Sequence, residues 1–297
     1  MYFKILIVIY FFIQNQIMKI QRFADARQFY EQVKDYLLQQ EAMHNLNLGI
    51  CNRLVQSPDH YQEQNYLAIV ENKSEIIGVV IRNPPFALLL SVMSTIDDVM
   101  PLIVSDVHDF YKSLSEVNAP VKESKAFAQA WCDYTGNKYK LKLATRVFQL
   151  EKVQQQNSTP GDLRLATAKE RELLKSWYEE FCREALEEIN VPSDIWVERQ
   201  LSQNSAYLWY NKSYVSMACR TRSTPNGVAI SMVYTPPEYR RQGYASNCVA
   251  ALSQELLNQG YKYCFLFADL ANSTSNHIYQ EIGYQAIGEW QEYSFIN

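Results

Sequence analysis

The stretch from Gly227 to Leu270, GVAISMVYTPPEYRRQGYASNCVAALSQELLNQGYKYCFLFADL, leaves this chain the fewest ways to fold. Its apolar run GVAISMVYT reads as a strand. The proline-, arginine- and glycine-bearing segment after it reads as a turn, ASNCVAALSQELLNQG as a helix closing on Gly260, and YKYCFLFADL as a second strand. Strand, turn, helix and strand in that order form a βαβ unit. The helix starts at about Tyr244, so the N–H groups of its first turn point at whatever lies above the strand end. Gly243 and Ala245 allow close backbone approach there, and Arg240 and Arg241 add positive charge. A pyrophosphate uses both supports. The alternative reading of the same residues is a surface turn capped by a glycine.

A chain of 297 residues has room for about two domains, and 47% hydrophobic with 20% charged residues is ordinary for soluble globular protein. Net charge of −4 and a pI near 5.7 speak against a general nucleic-acid binder. A small-molecule partner fits better. The cysteines Cys51, Cys132, Cys182, Cys219, Cys248 and Cys264 form no CxxC pair and do not cluster with the histidines. This argues against a structural zinc site and a disulfide framework, and for a reducing, cytoplasmic setting. Near the amino terminus, ILIVIYFFI (Ile5–Ile13) is too short to cross a bilayer, which takes roughly 18 to 20 apolar residues. It has the length of a signal-peptide core, but no small-residue cleavage site follows. We therefore expect Met18 to be the true start, residues 1–17 to be an extension, and no stable membrane insertion.

From Met18 onward, ADARQFYEQVKDYLLQQEAMHNLNLGI spaces Phe29, Val33, Tyr36, Leu37 and Leu38 as a helix does. NYLAIVE and EIIGVVIRNPPFALLLSVM read as strands interrupted at RNPP, and a helix is expected from Ile96 to about Leu114. AFAQAWCDYTG reads as a helix ending on Gly136, and YKLKLATRVFQLEKV as a strand. The polar stretch EKVQQQNSTPGDLR places a domain boundary near residue 157. Beyond it come a short strand DLRLAT, an amphipathic helix AKERELLKSWYEEFCREALEEI, and a helix SDIWVERQLS with Ser193 as N-cap. Three strands follow, SAYLWYN, SYVSMACRTR and GVAISMVYT, the last two joined by a turn carrying Asn226–Gly227. After the βαβ unit, STSNHIYQEIG is a helix and YQAIGEWQEYSF a last strand.

The segment ADLANSTSNHIYQEIGY carries Asn272, Ser275, Tyr279 and the pair Gly283–Tyr284 at fixed spacings. With YRRQGYA before it, the chain from about Asp162 to Phe295 resembles the GCN5-related N-acetyltransferase superfamily. YRRQGYA is similar to that superfamily's Q/R-x-x-G-x-G/A acyl-CoA pyrophosphate loop, and NSTSNHIYQEIGY to its N-x-x-S-x-x-x-Y-x-x-x-G-F/Y segment. The resemblance implies an α/β (α+β) fold with a mixed central sheet flanked by helices, and acetyl-CoA or another acyl-CoA as co-substrate with no metal. It implies that the backbone from Arg241 through Gln242, Gly243, Tyr244 and Ala245 to Ser246 holds the pyrophosphate, with Arg240 beside it. Met232, Val233 and Tyr234 would pair with the pantetheine arm, and Asn272, Ser275 and Asn276 would contact the cofactor. Tyr279 would protonate the leaving thiolate. One departure is visible: the superfamily often has glycine where this chain has Arg241.

An amine attacks a thioester only when neutral, the tetrahedral oxyanion needs a donor, and a thiolate of pKa about 8.5 leaves faster when protonated. Direct transfer to a small-molecule amine needs no protein nucleophile. GVAISMVYT carries no carboxylate to act as base, so a water relay is expected. Glu179, Glu180 and Glu184 are candidates for attracting a cationic acceptor, or are simply a solvated helix face. Tyr207, Trp209 and Tyr210 either wall the acceptor pocket or belong to the core. Residues 18–156 lack an Arg-x-x-Gly-x-Gly/Ala loop and resemble the degenerate amino-terminal copy in two-domain members, which leaves residues 157–297 as the catalytic domain. The alternative function is a non-catalytic acyl-CoA-binding regulatory module. Oligomeric state is not legible.

Overall fold

The computed structural model describes residues 18–56, 64–154, 159–185 and 191–296; the apolar amino-terminal stretch and the boundary expected near residue 157 lie outside the described residues. The chain forms two compact units. One runs to Arg146 and takes back the chain from Gly288 onward, and the other is Val147–Ile287.

In the first unit, strand β1 (Lys19–Arg22) leads to helix α1 (Ala26–Leu38), whose N-cap Asp25 accepts the Gln28 N–H at 2.7 Å. Phe29, Val33 and Leu37 are its buried stripe. A second helix, α2 (Asn45–Gln56), follows where the sequence suggested one continuous helical stretch. Then come β2 (Tyr66–Asn72), β3 (Glu75–Arg82), β4 (Leu88–Leu90), α3 (Ile96–Tyr111), β5 (Glu116–Pro120) and α4 (Val121–Thr135), which ends on left-handed Gly136. Strand β6 (Lys138–Leu150) begins in this unit. The sheet order here is β1–β2–β3–β4–β5, closed by the last strand, β12 (Gln285–Ile296), with Trp290 opposite Pro120 and Ser294 opposite Glu116. Strands β4 and β5 are parallel, with Leu88 beside Val117 and Leu89 beside Asn118. Helices α3 and α4 cover this sheet through Val99, Ile103, Val107, Phe127 and Trp131. Short strands β1 and β5 were not apparent in the sequence.

The second unit orders its strands β7 (Asp162–Leu165), β8 (Ala206–Asn211), β9 (Ser213–Ser223), β10 (Gly227–Tyr234) and β11 (Tyr263–Asp269) side by side in that sequence. Helices α5 (Arg171–Ala185) and α6 (Ser193–Ser202) lie on one face, where Leu174, Trp177, Tyr178, Trp196 and Val197 pack on Leu208, Met217 and Tyr234. The N-cap of α6 is Pro192, not Ser193. Ser193 is the first helical residue, and its hydroxyl donates to Glu179 Oε1 at 2.6 Å instead of capping its own helix. On the opposite face α7 (Tyr244–Asn258) and α8 (Ser273–Ile282) pack Cys248, Leu252, Tyr279 and Ile282 against Trp209, Val228, Ile230 and Leu266. Among the described residues no helix is long and apolar enough to cross a membrane.

The tail strand is part of the first unit's core, and Trp290 is fully buried. Trp290→Ala is expected to cost about 3–5 kcal/mol in urea unfolding, the usual range for emptying a large aromatic site. A loss under about 1 kcal/mol would show that the Trp290 side chain does not anchor this strand in the first unit.

Candidate functional site

The site is built where β10 leaves its parallel neighbour. Gly227, Val228 and Ala229 pair with Tyr263, Cys264 and Phe265 of β11, and no pair follows. On its other side β10 stays with antiparallel β9, but the register shifts between Ser231 and Tyr234, and Met232 takes a positive φ of 53°. This is a β-bulge. Its effect is visible in the packing: Val228 and Ile230 face the α7 side, whereas Met232 and Tyr234 face the α5 side and Val233 takes over the α7 side. Past Ala229, main-chain polar groups of β10 therefore face a gap and not a strand.

The chain then passes Thr235 and a short 3-10 turn (Pro237–Tyr239) into the loop. Arg241 has φ 60° and Gly243 φ 80°, so the position occupied by arginine in place of the expected glycine keeps the left-handed backbone. For a non-glycine residue this costs roughly 1–2 kcal/mol, which surrounding contacts must offset. Gly243 is the N-cap of α7 and caps with no side chain. The first amide to enter the helical ladder is Asn247 N–H, onto Gly243 C=O at 3.0 Å, so Tyr244 and Ala245 N–H precede it. A Cβ at Gly243 would also lie 2.8 Å from Thr159 Oγ1, so that side chain would have to move. That hydroxyl donates to Gln242 C=O at 3.3 Å, and Asn247 Nδ2 donates to Thr159 C=O at 3.4 Å. Tyr244 is fixed at its far end, where Asn211 Nδ2 donates to its phenolic oxygen at 2.9 Å. Ser246 is buried.

The two loop arginines differ. Arg240 donates from Nε to Thr235 C=O at 2.8 Å and from its Nη2 to Glu184 Oε2 at 2.6 Å, and it lies over the Tyr234 ring. It is engaged within the protein. Arg241 is exposed and makes no ion pair among the described residues. One turn before Glu184 on α5, Glu180 accepts the Tyr234 hydroxyl at 2.6 Å and that of Ser176 at 3.1 Å. Burial, and then this bond to Glu180, raise the Tyr234 phenol above its ordinary pKa.

Across the gap, Asn272 is the N-cap of α8 and its side-chain oxygen accepts Ser275 N–H at 3.0 Å. Asn276 is buried and donates from Nδ2 to Asp269 C=O at 2.7 Å and to Asn272 C=O at 2.8 Å, tying the end of β11 to the start of α8. Both residues thus fix the turn from β11 into α8. Tyr279 is 8% exposed, edge-on to Phe148 and Tyr284. Burial pushes its phenol up to about 12, so it stays protonated through neutral pH. Burial likewise lifts the Cys248 and Cys264 thiols to about 12, which removes them as nucleophiles at neutral pH. Among the described residues no group of His, Cys, Asp and Glu is arranged to hold a metal ion.

Met232 to Tyr234 lie on β10 beyond its last pair with β11, the loop from Arg240 to Ser246 leads into α7, and Asn272 to Tyr279 belong to the start of α8 after β11. The proposed acceptor set does not come together. Glu180 and Glu184 lie on the α5 side, whereas Tyr207 and Trp209 pack beneath α7 in the core on the other face. Trp209 is buried and its Nε1 donates to Pro160 C=O at 3.4 Å. Tyr210 carries Arg164 over its ring at 3.6 Å. Thr159, Phe148 and the bulge at Met232 were not singled out from the sequence. Phe148 and Thr159 act only through residues distant along the chain, and no residue type marks the bulge.

A mixed sheet that opens between two parallel strands, with a glycine-capped helix beginning above the gap, defines the GCN5-related N-acetyltransferase fold. Residues 209–295 match the family model described as FR47-like protein. Solved structures similar over nearly the whole chain include a GNAT-family acetyltransferase from Colwellia psychrerythraea (12% identity, 94% of this chain and 100% of that one, TM-score 0.58). A GCN5-related N-acetyltransferase from Sphaerobacter thermophilus is similar at 13% identity, 93% and 94% coverage and TM-score 0.60. A tandem GNAT protein from the clavulanic acid biosynthesis pathway is similar at 10% identity, 93% and 98% coverage and TM-score 0.53. No curated protein matches the sequence. The chain therefore has the fold of the GCN5-related N-acetyltransferases.

Gly243→Ala tests the loop directly. A methyl group at φ 80° and 2.8 Å from Thr159 Oγ1 should destabilise the chain by about 1–2 kcal/mol and weaken acetyl-CoA binding at least about tenfold. Binding unchanged in calorimetry would show that this loop is not the anion cradle.

Proposed function

We propose that the chain transfers an acyl group, acetyl foremost, from acyl-CoA directly to the primary amine of a small molecule. The observation that carries this reading is the gap itself. Strand β10 parts from β11 after Ala229, bulges at Met232, and leads within one loop to the amides that open α7. The pantetheine arm, which carries amides of its own, pairs with Met232–Tyr234 as an added strand would. The pyrophosphate rests on the amides from Arg241 to Ser246, with Arg241 rather than Arg240 as the available cation. Asn272, Ser275 and Asn276 form the opposing rim.

The chemistry follows from which groups can gain or lose a proton. A strand amide near the bulge stabilises the tetrahedral oxyanion. Tyr279, protonated at neutral pH, donates to the departing CoA sulfur. On the other face of β10, Glu180 and Glu184 give the acceptor side a negative character that attracts a cationic amine, and water carries its proton away. A second reading, an acyl-CoA-binding regulatory module, draws support from one fact. Both carboxylates are already engaged, Glu180 by Tyr234 and Glu184 by Arg240.

Calorimetry with acetyl-CoA, followed by thiol-release assays against pooled amines, tests the binding and the transfer separately. Tyr279→Phe discriminates the two readings: kcat should fall about 100-fold or more while the Kd for acetyl-CoA stays within about twofold. With its phenol held near 12, Tyr279 should contribute no alkaline limb to the rate profile below about pH 10. Unchanged turnover in the variant would remove Tyr279 from the chemistry.

A further inference from the structure

The first unit repeats the strand order of the site in full. Antiparallel β3 adjoins β4, helix α3 follows, β5 returns parallel to β4, and α4 follows that. Leu89, the last residue of β4 in the parallel pairing, corresponds to Ala229 of β10. Counting on from each, Val92 and Met93 stand where Met232 and Val233 stand in the second unit.

Their amides are not presented to a gap. Val92 N–H donates to Nε2 of His44 at 3.0 Å, and Met93 N–H donates to Oε1 of Glu123 at 2.9 Å. The Val92 carbonyl accepts the Tyr36 hydroxyl at 2.6 Å. Ser91 is held twice by β3, its N–H on Val79 C=O and its Oγ under Val79 N–H, both at 2.9 Å. His44 and Glu123 are 2% and 3% exposed, so these are interior bonds and not solvent exchanges. The other requirements of an anion site are missing as well. The long loop Thr235–Gly243 of the second unit is replaced by Ser91–Thr95, and α3 carries Asp97 and Asp98 in the first turn, where a phosphate would meet two carboxylates.

We propose that the first unit is a cofactor groove closed from within: His44 and Glu123 occupy the strand-end amides that a bound pantetheine would otherwise take, so the chain binds one acyl-CoA, in the second unit. His44 acts here as an acceptor and must be neutral. Its Nδ1 donates to Leu37 C=O at 2.9 Å, the Tyr36 ring stacks on it, and the nearby carboxyl of Glu123 faces the next amide. Burial lowers the His44 pKa below its ordinary value of about 6.5. The sign is then fixed: the contribution is complete above about 6.5 and is lost as pH falls through the lower folded value, because the unfolded chain takes the proton first. Glu123 is shifted upward by burial, and its carbonyl oxygen remains an acceptor when protonated.

Residue-resolved hydrogen exchange on the full chain, with and without saturating acetyl-CoA, tests the closure. The second unit's site enters only as the source of the probe. Val92 and Met93 should be protected before any ligand is added, and acetyl-CoA should slow exchange at Met232–Tyr234 while leaving Ser91–Ser94 unchanged. Glu123→Ala should speed Met93 exchange about tenfold, and Glu123→Gln, which keeps an acceptor, should restore protection. His44→Phe should speed Val92 exchange similarly. Fast exchange of both amides in the unaltered chain, or no change in the variants, overturns the closure. So does slowing of Ser91–Ser94 by acetyl-CoA, the expected sign of a ligand in the open cleft of about 560 Å³ beside Ser94, Asp97 and Lys122. Should acetyl-CoA slow exchange nowhere, the acyl-CoA reading of the second unit fails, and the variants still decide the closure.

Discussion

The parting of β10 from β11 after Ala229 is the constraint on which the candidate site depends. A strand inside a sheet has its amides and carbonyls paired on both sides, and nothing can bind to it edgewise. Ending the parallel pairing at Ala229 while the antiparallel pairing with β9 continues leaves one edge of β10 unpaired in the middle of a sheet. Such an edge invites whatever can supply acceptors and donors in strand geometry. The bulge at Met232 adds a change of facing, so that Tyr234 can reach Glu180 on the α5 side while Val233 packs toward α7.

Holding that geometry requires contacts from elsewhere, because Met232 and Arg241 both sit at positive φ without being glycine. Helix α5 supplies two of them. Glu180 and Glu184 lie one turn apart, so a single helix face fixes the end of β10 through Tyr234 and the loop through Arg240. The hydrogen bond from Arg240 Nε to Thr235 C=O joins those two points directly. The loop is thus set before a ligand arrives, which reduces the ordering cost of binding. The same engagement explains why Arg240, although it is the first basic residue of the motif, is not the free cation.

Local patterns carried much of this into the sequence. The βαβ unit, the helix start at Tyr244 and the helix end at Gly136 all rest on residues within a few positions of one another, where propensity and turn chemistry act, whereas the capping role of Asn272 at α8 was not read from them. The features that escaped are long-range. Nothing near Arg240 in sequence announces Glu184, and nothing near Tyr207 and Trp209 says which face of β8 receives α7. Strand β5 reads EVNAP, polar and proline-ended, and becomes a strand only because β4 and β12 flank it. The last strand was legible as a strand, yet its membership in the first unit from Gly288 onward was not, since that depends on a partner far back in the chain.

On the proposed reading, the residues that follow the parted strand decide whether one strand order binds a ligand or closes on itself. An amide left at the end of a parted strand must find an acceptor or lose on the order of 1–3 kcal/mol when buried. In the second unit the flanking segment is long enough to carry Arg241 and Gly243 into left-handed turns and to open a glycine-capped helix, so the acceptors can come from outside. In the first unit the segment is short and α3 starts almost at once with two carboxylates; an anionic ligand there meets repulsion, and the interior supplies His44 and Glu123 instead. Fold alone therefore sets where the amides are, and the few residues after the strand set whether a ligand or the protein satisfies them.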